Sequence, residues 1–188
     1  MGAAREPQSQ HAPNLAQGGE VPSAAGTSAE AAQQPQATAV PRFPLFVNLM
    51  GADCLVVGAG AVGSRRAAVL ARYGARVTVI DPAAPTCEEA AELLARAYKP
   101  GDERGRTLVV AATSNRAVNR LIGETCRAAS VPVSVADAPE ECTFFFPAVC
   151  ATERLSAGVV STGAEHALTA RAAAAVRQTL AACERAEA

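Results

Sequence analysis

Short runs of aliphatic and β-branched residues alternate along the chain with longer stretches in which apolar side chains recur every three or four positions. Each short run is bounded by glycine or polar residues, which is typical of a strand buried on both faces of a sheet. The predicted strands are 54–57, 76–80, 108–112 and 131–136. Because these strands alternate with helical patterns, the sequence predicts an α/β protein with a Rossmann-like parallel sheet.

Three helices are predicted between these strands. The first covers 61–73 and is followed by Gly74 as a C-cap. The second begins at Thr86, which has the capping-box spacing with Glu89. Its apolar stripe consists of Ala90, Leu93, Leu94 and Ala97. The third covers 115–129.

The alternation changes after Asp137. Two extended runs, 143–149 and 155–161, have no helix between them, and an Ala-rich helix is predicted over 165–184. The predicted buried face of this helix contains Leu168, Ala172, Ala175, Val176, Thr179 and Leu180. We therefore expect an α/β domain over 41–136, followed over 137–188 by a small β-rich arm and a helix.

Residues 1–40 differ in composition from the rest of the chain. They are rich in Ala, Gln, Pro, Gly and Ser and contain almost no large apolar side chains. Such a segment buries too little surface to offset the entropy of ordering it. The sequence therefore predicts a disordered tail over 1–40.

Charge and composition exclude several classes of function. The net charge is −1, aromatic residues make up 4%, and there is no Trp, which argues against a nucleic-acid-binding surface. No apolar run is long enough to span a bilayer, and no signal peptide is evident. The six cysteines form no C-x-x-C pair, so we predict reduced thiols, no metal site and a cytoplasmic location.

The strongest motif is the G-x-G-x-x-G sequence of residues 58–63, which follows the first predicted strand and opens the first helix. Gly58 permits a tight turn, Gly60 allows a pyrophosphate to approach the backbone, and Gly63 allows the helix to pack on the strand. Ala61 and Val62 present unpaired N–H groups at the helix N-terminus. This context predicts a dinucleotide-binding site.

Asp81 lies 23 residues after Gly58, at the end of the second strand. A carboxylate there can accept hydrogen bonds from the adenosine ribose and repels a 2′-phosphate, so NAD is predicted in preference to NADP. The alternative is that Asp81 only caps the turn before Pro82. Arg65 and Arg66 are basic residues of the kind found in NADP sites, but the helical pattern places them on a solvated face. The predicted cofactor-binding residues are Gly58, Gly60, Ala61, Val62, Gly63, Asp81, Pro82, Ala83 and Thr113.

An ordered set of short segments resembles the precorrin-2 dehydrogenase family, the N-terminal part of siroheme synthases. The segments are Phe43-Pro44-Leu45-Phe46-Val47-Asn48-Leu49, Val109-Val110-Ala111-Ala112-Thr113 with Asn119, Val135-Ala136-Asp137-Ala138-Pro139, Thr143-Phe144-Phe145-Phe146-Pro147-Ala148 and Val160-Ser161-Thr162-Gly163. The resemblance covers about residues 43–180. It implies NAD-dependent oxidation of precorrin-2 to sirohydrochlorin by a homodimer that is intertwined through the segment after the Rossmann domain.

The resemblance also implies a catalytic role for Asp137, which matches the family's essential aspartate at the end of the fourth predicted strand. In doubly wound sheets, ligands bind beyond the carboxyl ends of the strands. A carboxylate there can accept the proton lost as hydride leaves the macrocycle, or it can orient the substrate. The local alternative is a turn-forming aspartate before Pro139.

The chain departs from the family pattern at several positions. Ser134 stands where the family usually has Asn, and the stretch 163–167 replaces a usual Ser-Pro pair, which makes His166 unusual. Two interpretations of His166 stay open. It is either a substrate-binding or acid/base residue, or an exposed residue at a helix N-terminus. Thr162 matches a Ser/Thr position near the family's active site. Iron insertion is the weaker expectation, because the chain ends soon after the Ala-rich helix whereas typical members continue.

Two other classes of function stay open. One is an NAD(H)-binding regulatory module without catalysis, although a sensor would have no need for Asp137 or for the Phe-Phe-Phe-Pro-Ala arm. The other is a ferrochelatase that makes little use of NAD, against which the glycine motif and Asp81 argue.

Overall fold

The main sheet consists of five parallel strands. The structure, a computed structural model, describes residues 42–83, 86–163 and 165–186. The strands are β1 (Asp53–Val57), β2 (Arg76–Ile80), β3 (Glu92–Leu94), β4 (Leu108–Ala111) and β5 (Val133–Val135). Their order is β3-β2-β1-β4-β5, so the winding reverses between β1 and β4. This arrangement confirms the predicted Rossmann-like α/β fold.

Two helices cover opposite faces of this sheet. Helix α1 (Ala61–Arg72) connects β1 to β2 and buries Ala67 and Leu70 against one face. Helix α2 (Arg116–Ala128) connects β4 to β5 and buries Ile122 and Cys126 against the other face. Gly74 follows α1 with a φ of 84°, as predicted for a C-cap glycine.

The helix predicted from Thr86 is wrong. Residues 86–91 form turns, and 92–94 form the edge strand β3, so the sheet gains a strand that the sequence analysis lacked. Leu93 packs against the core on the α1 face and Leu94 against the core on the α2 face. A strand separates consecutive side chains in this way, whereas a helix would place them on one side. Asp137 consequently follows the fifth strand of the chain, not the fourth.

The region after β5 contains less strand than predicted. A short 3₁₀ helix (Pro139–Glu141) leads to residues 143–147, which are not a strand but fold back along β5. Both Thr143 N and Phe144 N donate to Val133 O, at 2.8 and 3.3 Å. The antiparallel hairpin is limited to β6 (Ala148–Ala151) and β7 (Ser156–Val159). Phe144 and Phe146 pack on the core of the α1 face.

Helix α3 (His166–Ala186) packs on this hairpin. Its contact runs through Ala173, whose carbonyl accepts from Cys150 Sγ at 3.3 Å. Ala173 is the one buried residue of α3, and Leu168 is 48% exposed. Of the predicted buried face, Ala172, Val176 and Leu180 are half-buried in the single chain, whereas Leu168, Ala175 and Thr179 are exposed.

Other predictions about the whole chain have mixed outcomes. The disordered tail predicted over 1–40 lies outside the described residues. All six cysteines fall within the described part of the chain and are free thiols, as expected. Among the described residues, no helix combines the length and apolarity needed to cross a membrane.

Candidate functional site

The glycine motif forms a tight turn at the carboxyl end of β1. Gly58 has a φ of 100°, and a Cβ there would lie 2.5 Å from Ala112 O. A Cβ at Gly63 would lie 1.8 Å from Gly58 O. The two glycines therefore allow β1, β4 and α1 to approach one another as closely as they do.

The space above this turn suits a pyrophosphate. A Cβ at Gly60 would meet no atom within 4 Å. Gly60 is the N-cap of α1 and makes no side-chain capping bond, and the first turn contains no acidic residue. Ala61 and Val62 are exposed, and their N–H groups belong to the first turn, where helical N–H groups lack intrahelical acceptors. The residues present thus fit a dinucleotide phosphate at a helix N-terminus.

Asp81 ties the glycine turn to the end of β2. Its Oδ2 accepts from Ala59 N at 2.7 Å, and its Oδ1 accepts from Ala83 N at 2.8 Å. The bond from Ala83 N agrees with the turn-capping alternative for Asp81, whereas the bond from Ala59 N in the glycine loop was not predicted from the sequence. Pro82 and Ala83 are both exposed beside Asp81.

Thr113 is held at the end of β4 by a buried asparagine. Asn119, which is 0% exposed, accepts from Thr113 N at 3.0 Å and from Thr113 Oγ1 at 2.7 Å, and its Nδ2 donates to Thr113 O at 3.0 Å. From the sequence alone, Asn119 is identified only through the family resemblance. A polar residue on the apolar face of an amphipathic helix was the signal for this supporting role.

Four predicted site residues form a row along one edge of the sheet. Gly58, Asp81, Thr113 and Asp137 each lie one or two residues after the end of a strand. The strands are parallel and in register, so these ends share an edge. From β2 to β5 the row spans three inter-strand spacings, about 14 Å.

Asp137 lies exposed in the turn after β5, near the N-terminus of α2. The Arg116 guanidinium pairs with Glu141, and this hydrogen bond, followed by the charges of Glu141, Asp137 and Glu140, raises the pKa of Arg116 above its usual value. A cation therefore lies within electrostatic range of the Asp137 carboxylate and opposes the mutual repulsion of the acids around it.

Thr162 and His166 belong to the connection from β7 into α3. Both are exposed, and His166 is the first residue of the helix. The preceding Ser161 carbonyl accepts from Arg42, whose guanidinium lies 3.8 Å from the centroid of the Phe145 ring. The structure groups the row of four at the sheet edge and leaves Thr162 and His166 on this separate connection.

The expected solvated position of both arginines in α1 is wrong for Arg66. Arg65 is exposed, but Arg66 is half-buried. Its Nη1 donates to Ser134 Oγ at 3.1 Å, and its guanidinium carbon lies 4.9 Å from the centroid of the Phe146 ring. The chain fold-back after β5 covers this side chain, which the periodicity of α1 alone does not reveal.

Comparisons with known proteins identify related sequences and folds. Residues 45–148 match the profile of a family described as "Putative NAD(P)-binding". Siroheme synthase of Methylobacillus flagellatus is 38% identical over 127 residues, which are 64% of this chain and 27% of that protein. Siroheme synthase 1 of Halorhodospira halophila is 42% identical over 135 residues, which are 67% of this chain and 28% of that protein. The chain thus spans about a quarter of the length of these curated relatives.

A solved structure has the same fold. It is named SirC, precorrin-2 dehydrogenase, and the superposition has a TM-score of 0.59 with 23% sequence identity. The match covers 73% of this chain and 71% of that chain. At this level of identity the match shows a shared fold.

Proposed function

Because the chain belongs to this NAD(P)-binding family, and its predicted resemblance to precorrin-2 dehydrogenases is confirmed by the comparisons, we propose that it oxidises precorrin-2 to sirohydrochlorin with NAD. The observation that carries the proposal is the row of Asp81, Gly58, Thr113 and Asp137 along one sheet edge. The row combines the glycine turn, which suits a dinucleotide, with the carboxylate of Asp137 at the β5 end.

The order of the row supports an assignment of the two ends of the proposed cofactor site. Asp81, beyond β2, would accept from the adenosine ribose, and the glycine turn with the N-terminus of α1 would hold the pyrophosphate. Thr113 and Asp137, beyond β4 and β5, then flank the other end. When bound, the nicotinamide supplies the hydride acceptor.

Asp137 is the proposed catalytic residue. Oxidation of precorrin-2 removes a hydride and a proton, and the hydride reduces NAD to NADH. The exposed carboxylate of Asp137 can take the proton and release it to solvent.

An anaerobic assay tests this proposal directly. Precorrin-2 and NAD are mixed with the protein, and sirohydrochlorin and NADH absorbance are followed together. The proposal expects the two products to appear in equal amounts. NAD binding without turnover would contradict it and would favour the regulatory module.

NAD is expected to bind more tightly than NADP. The Asp81 carboxylate faces the ribose end of the site, and its repulsion of a 2′-phosphate costs on the order of 1–3 kcal/mol. Titration of both cofactors measures the ratio of their dissociation constants. Asp81→Asn removes the charge and should bring the dissociation constants of NAD and NADP closer together. Equal or tighter binding of NADP to the unaltered protein would contradict the assignment of Asp81.

We propose that residues 137–188 form a dimerisation and substrate segment and that the protein is a homodimer. In the single chain, Leu168 is 48% exposed, and Val160 and Leu155 are 40% and 39% exposed. An apolar helix face beside a two-stranded hairpin favours association with a second copy.

The predicted cytoplasmic location stays a prediction.

Sedimentation at micromolar concentration should show a dimer. Leu168→Glu is expected to shift the equilibrium towards monomer, because it places a charge in the apolar face of α3. Leu121→Glu is the matched control, since Leu121 is 40% exposed on α2, outside the proposed interface. A monomeric unaltered protein, or equal effects of the two substitutions, would count against this interface.

A further inference from the structure

Arg66 is a half-buried cation enclosed by three elements. It projects from α1, donates to Ser134 Oγ of β5 at 3.1 Å, and lies against the Phe146 ring with 4.9 Å between guanidinium carbon and ring centroid. Ser134 is itself only 2% exposed. The guanidinium is therefore held in a fixed place on the α1 side of β5.

Among the described residues, Arg66 forms no ion pair with a carboxylate. The four ion pairs within the described ranges are Arg76–Asp53, Arg96–Asp102, Arg116–Glu141 and Arg120–Glu124. Burial lowers the pKa of Arg66, the nearby Cys142 thiol group opposes this shift, and the positive charge of Arg65 adds to it. Removing a cation from water without a counter-ion is costly, so a protein that retains one has a use for the anion that it attracts.

The hydrogen-bonding capacity of Arg66 is also largely unused. A guanidinium has five N–H donors in a planar fork that matches a carboxylate. One of them reaches Ser134, and the remaining described contact is the stacking on Phe146. Helical side chains lean towards the helix N-terminus, which for α1 lies at the sheet edge that carries Gly58 and Asp137.

We propose that Arg66 binds a carboxylate of the tetrapyrrole substrate on the α1 side of β5. This inference rests on the proposed function. Precorrin-2 carries acetate and propionate groups around its macrocycle, so one ligand can reach both Arg66 and Asp137, which lies three residues beyond Ser134. A phosphate of the dinucleotide has similar anionic chemistry, and the experiment separates the two sources.

The test compares Arg66→Gln with Arg65→Gln in the full-length protein. Glutamine at 66 removes the charge but retains a donor for Ser134, and Arg65 is the exposed neighbour on the same helix. We expect Arg66→Gln to raise KM for precorrin-2 by about 10–100-fold, as for loss of a hydrogen-bonded charge. KM for NAD should change less than twofold, and Arg65→Gln should leave both KM values unchanged. A rise in KM for NAD instead would assign the anion to the cofactor and overturn the proposal.

A binding measurement makes the result independent of turnover. Uroporphyrin I, a stable tetrapyrrole octacarboxylate, is titrated by fluorescence, and thermal melts monitor the fold. Its affinity should fall about 10–100-fold in Arg66→Gln and not in Arg65→Gln. Arg66→Lys should recover part of this loss, because it restores the charge.

The outcomes separate this inference from the proposed function. If the protein shows no dehydrogenase activity but uroporphyrin binding depends on Arg66, the proposed function fails and the carboxylate site stands. Equal uroporphyrin affinities of Arg66→Gln and the unaltered protein overturn the site, as does absence of binding to the unaltered protein. If Arg66→Lys binds no better than Arg66→Gln, the effect is structural and the proposal is overturned.

Discussion

Replacing Asp137 with asparagine should lower kcat with precorrin-2 by about 10²–10⁴, the usual effect of losing a positioned acid/base group. Asparagine has the shape of aspartate but cannot take the proton that leaves with hydride transfer. Asp137 is exposed in the turn after β5, so the fold should be preserved. NAD affinity should also be preserved, because the glycine turn and Asp81 are unchanged.

Single-turnover rates, an NAD titration and circular dichroism together check this prediction. Glu140→Gln is the matched control, because it removes one negative charge from an exposed residue near Arg116 and should retain near-native kcat. His166→Ala should also have little effect if His166 is only an exposed residue of α3. If Asp137→Asn retains near-native kcat while His166→Ala is inactive, the assignment is wrong and the Glu165-His166 pair carries the chemistry.

Replacing Gly58 with alanine should destabilise the protein and abolish measurable NAD binding. A non-glycine residue at a φ of 100° costs roughly 1–2 kcal/mol, and the new Cβ would lie 2.5 Å from Ala112 O. The ends of β1 and β4 must separate to relieve this contact. We expect a loss of at least about 2 kcal/mol, which corresponds to a fall in Tm of roughly 4–8 °C.

Gly60→Ala separates folding from binding. A Cβ at Gly60 enters open space, so Tm should stay within about 1 °C, whereas NAD affinity should fall because the methyl group occupies the place of the pyrophosphate. Differential scanning calorimetry and NAD titration of both variants make the comparison. An unchanged Tm in Gly58→Ala would show that the turn adapts. Unchanged NAD affinity in Gly60→Ala would mean that the dinucleotide does not cross this turn.

Much of the fold and of the cofactor site could be predicted because it depends on local sequence. The runs that became β1, β2 and β4 are mostly apolar, and the spacing of Gly58, Gly60 and Gly63 has few structural solutions. The helix predicted from Thr86 failed because its Ala and Glu residues favour a helix, while the buried surface separates Leu93 from Leu94. Strand formation at 92–94 depends on pairing with β2, and the local sequence pattern carries no information about that pairing.

The remaining site features depend on contacts between distant parts of the chain. Arg66 is indistinguishable from Arg65 by periodicity, and only the fold-back that brings Phe146 over α1 separates them. The bond from Ala59 N to Asp81 likewise requires β1 and β2 to be placed side by side. The exposed face of α3 was predicted to be buried because an apolar stripe does not reveal whether its partner belongs to the same chain.

The fold-back along β5 limits the conformational entropy of the turn that carries Asp137. Residues 136–142 leave β5, and the chain then returns to the same strand through two hydrogen bonds. Cys142 Sγ accepts from Val135 N at 3.1 Å, and Thr143 N donates to Val133 O at 2.8 Å. Asp137 therefore lies in a short closed loop, whose few conformations leave little freedom to lose when substrate binds. Because both hydrogen bonds are made to β5, the loop that carries Asp137 is closed within residues 133–143.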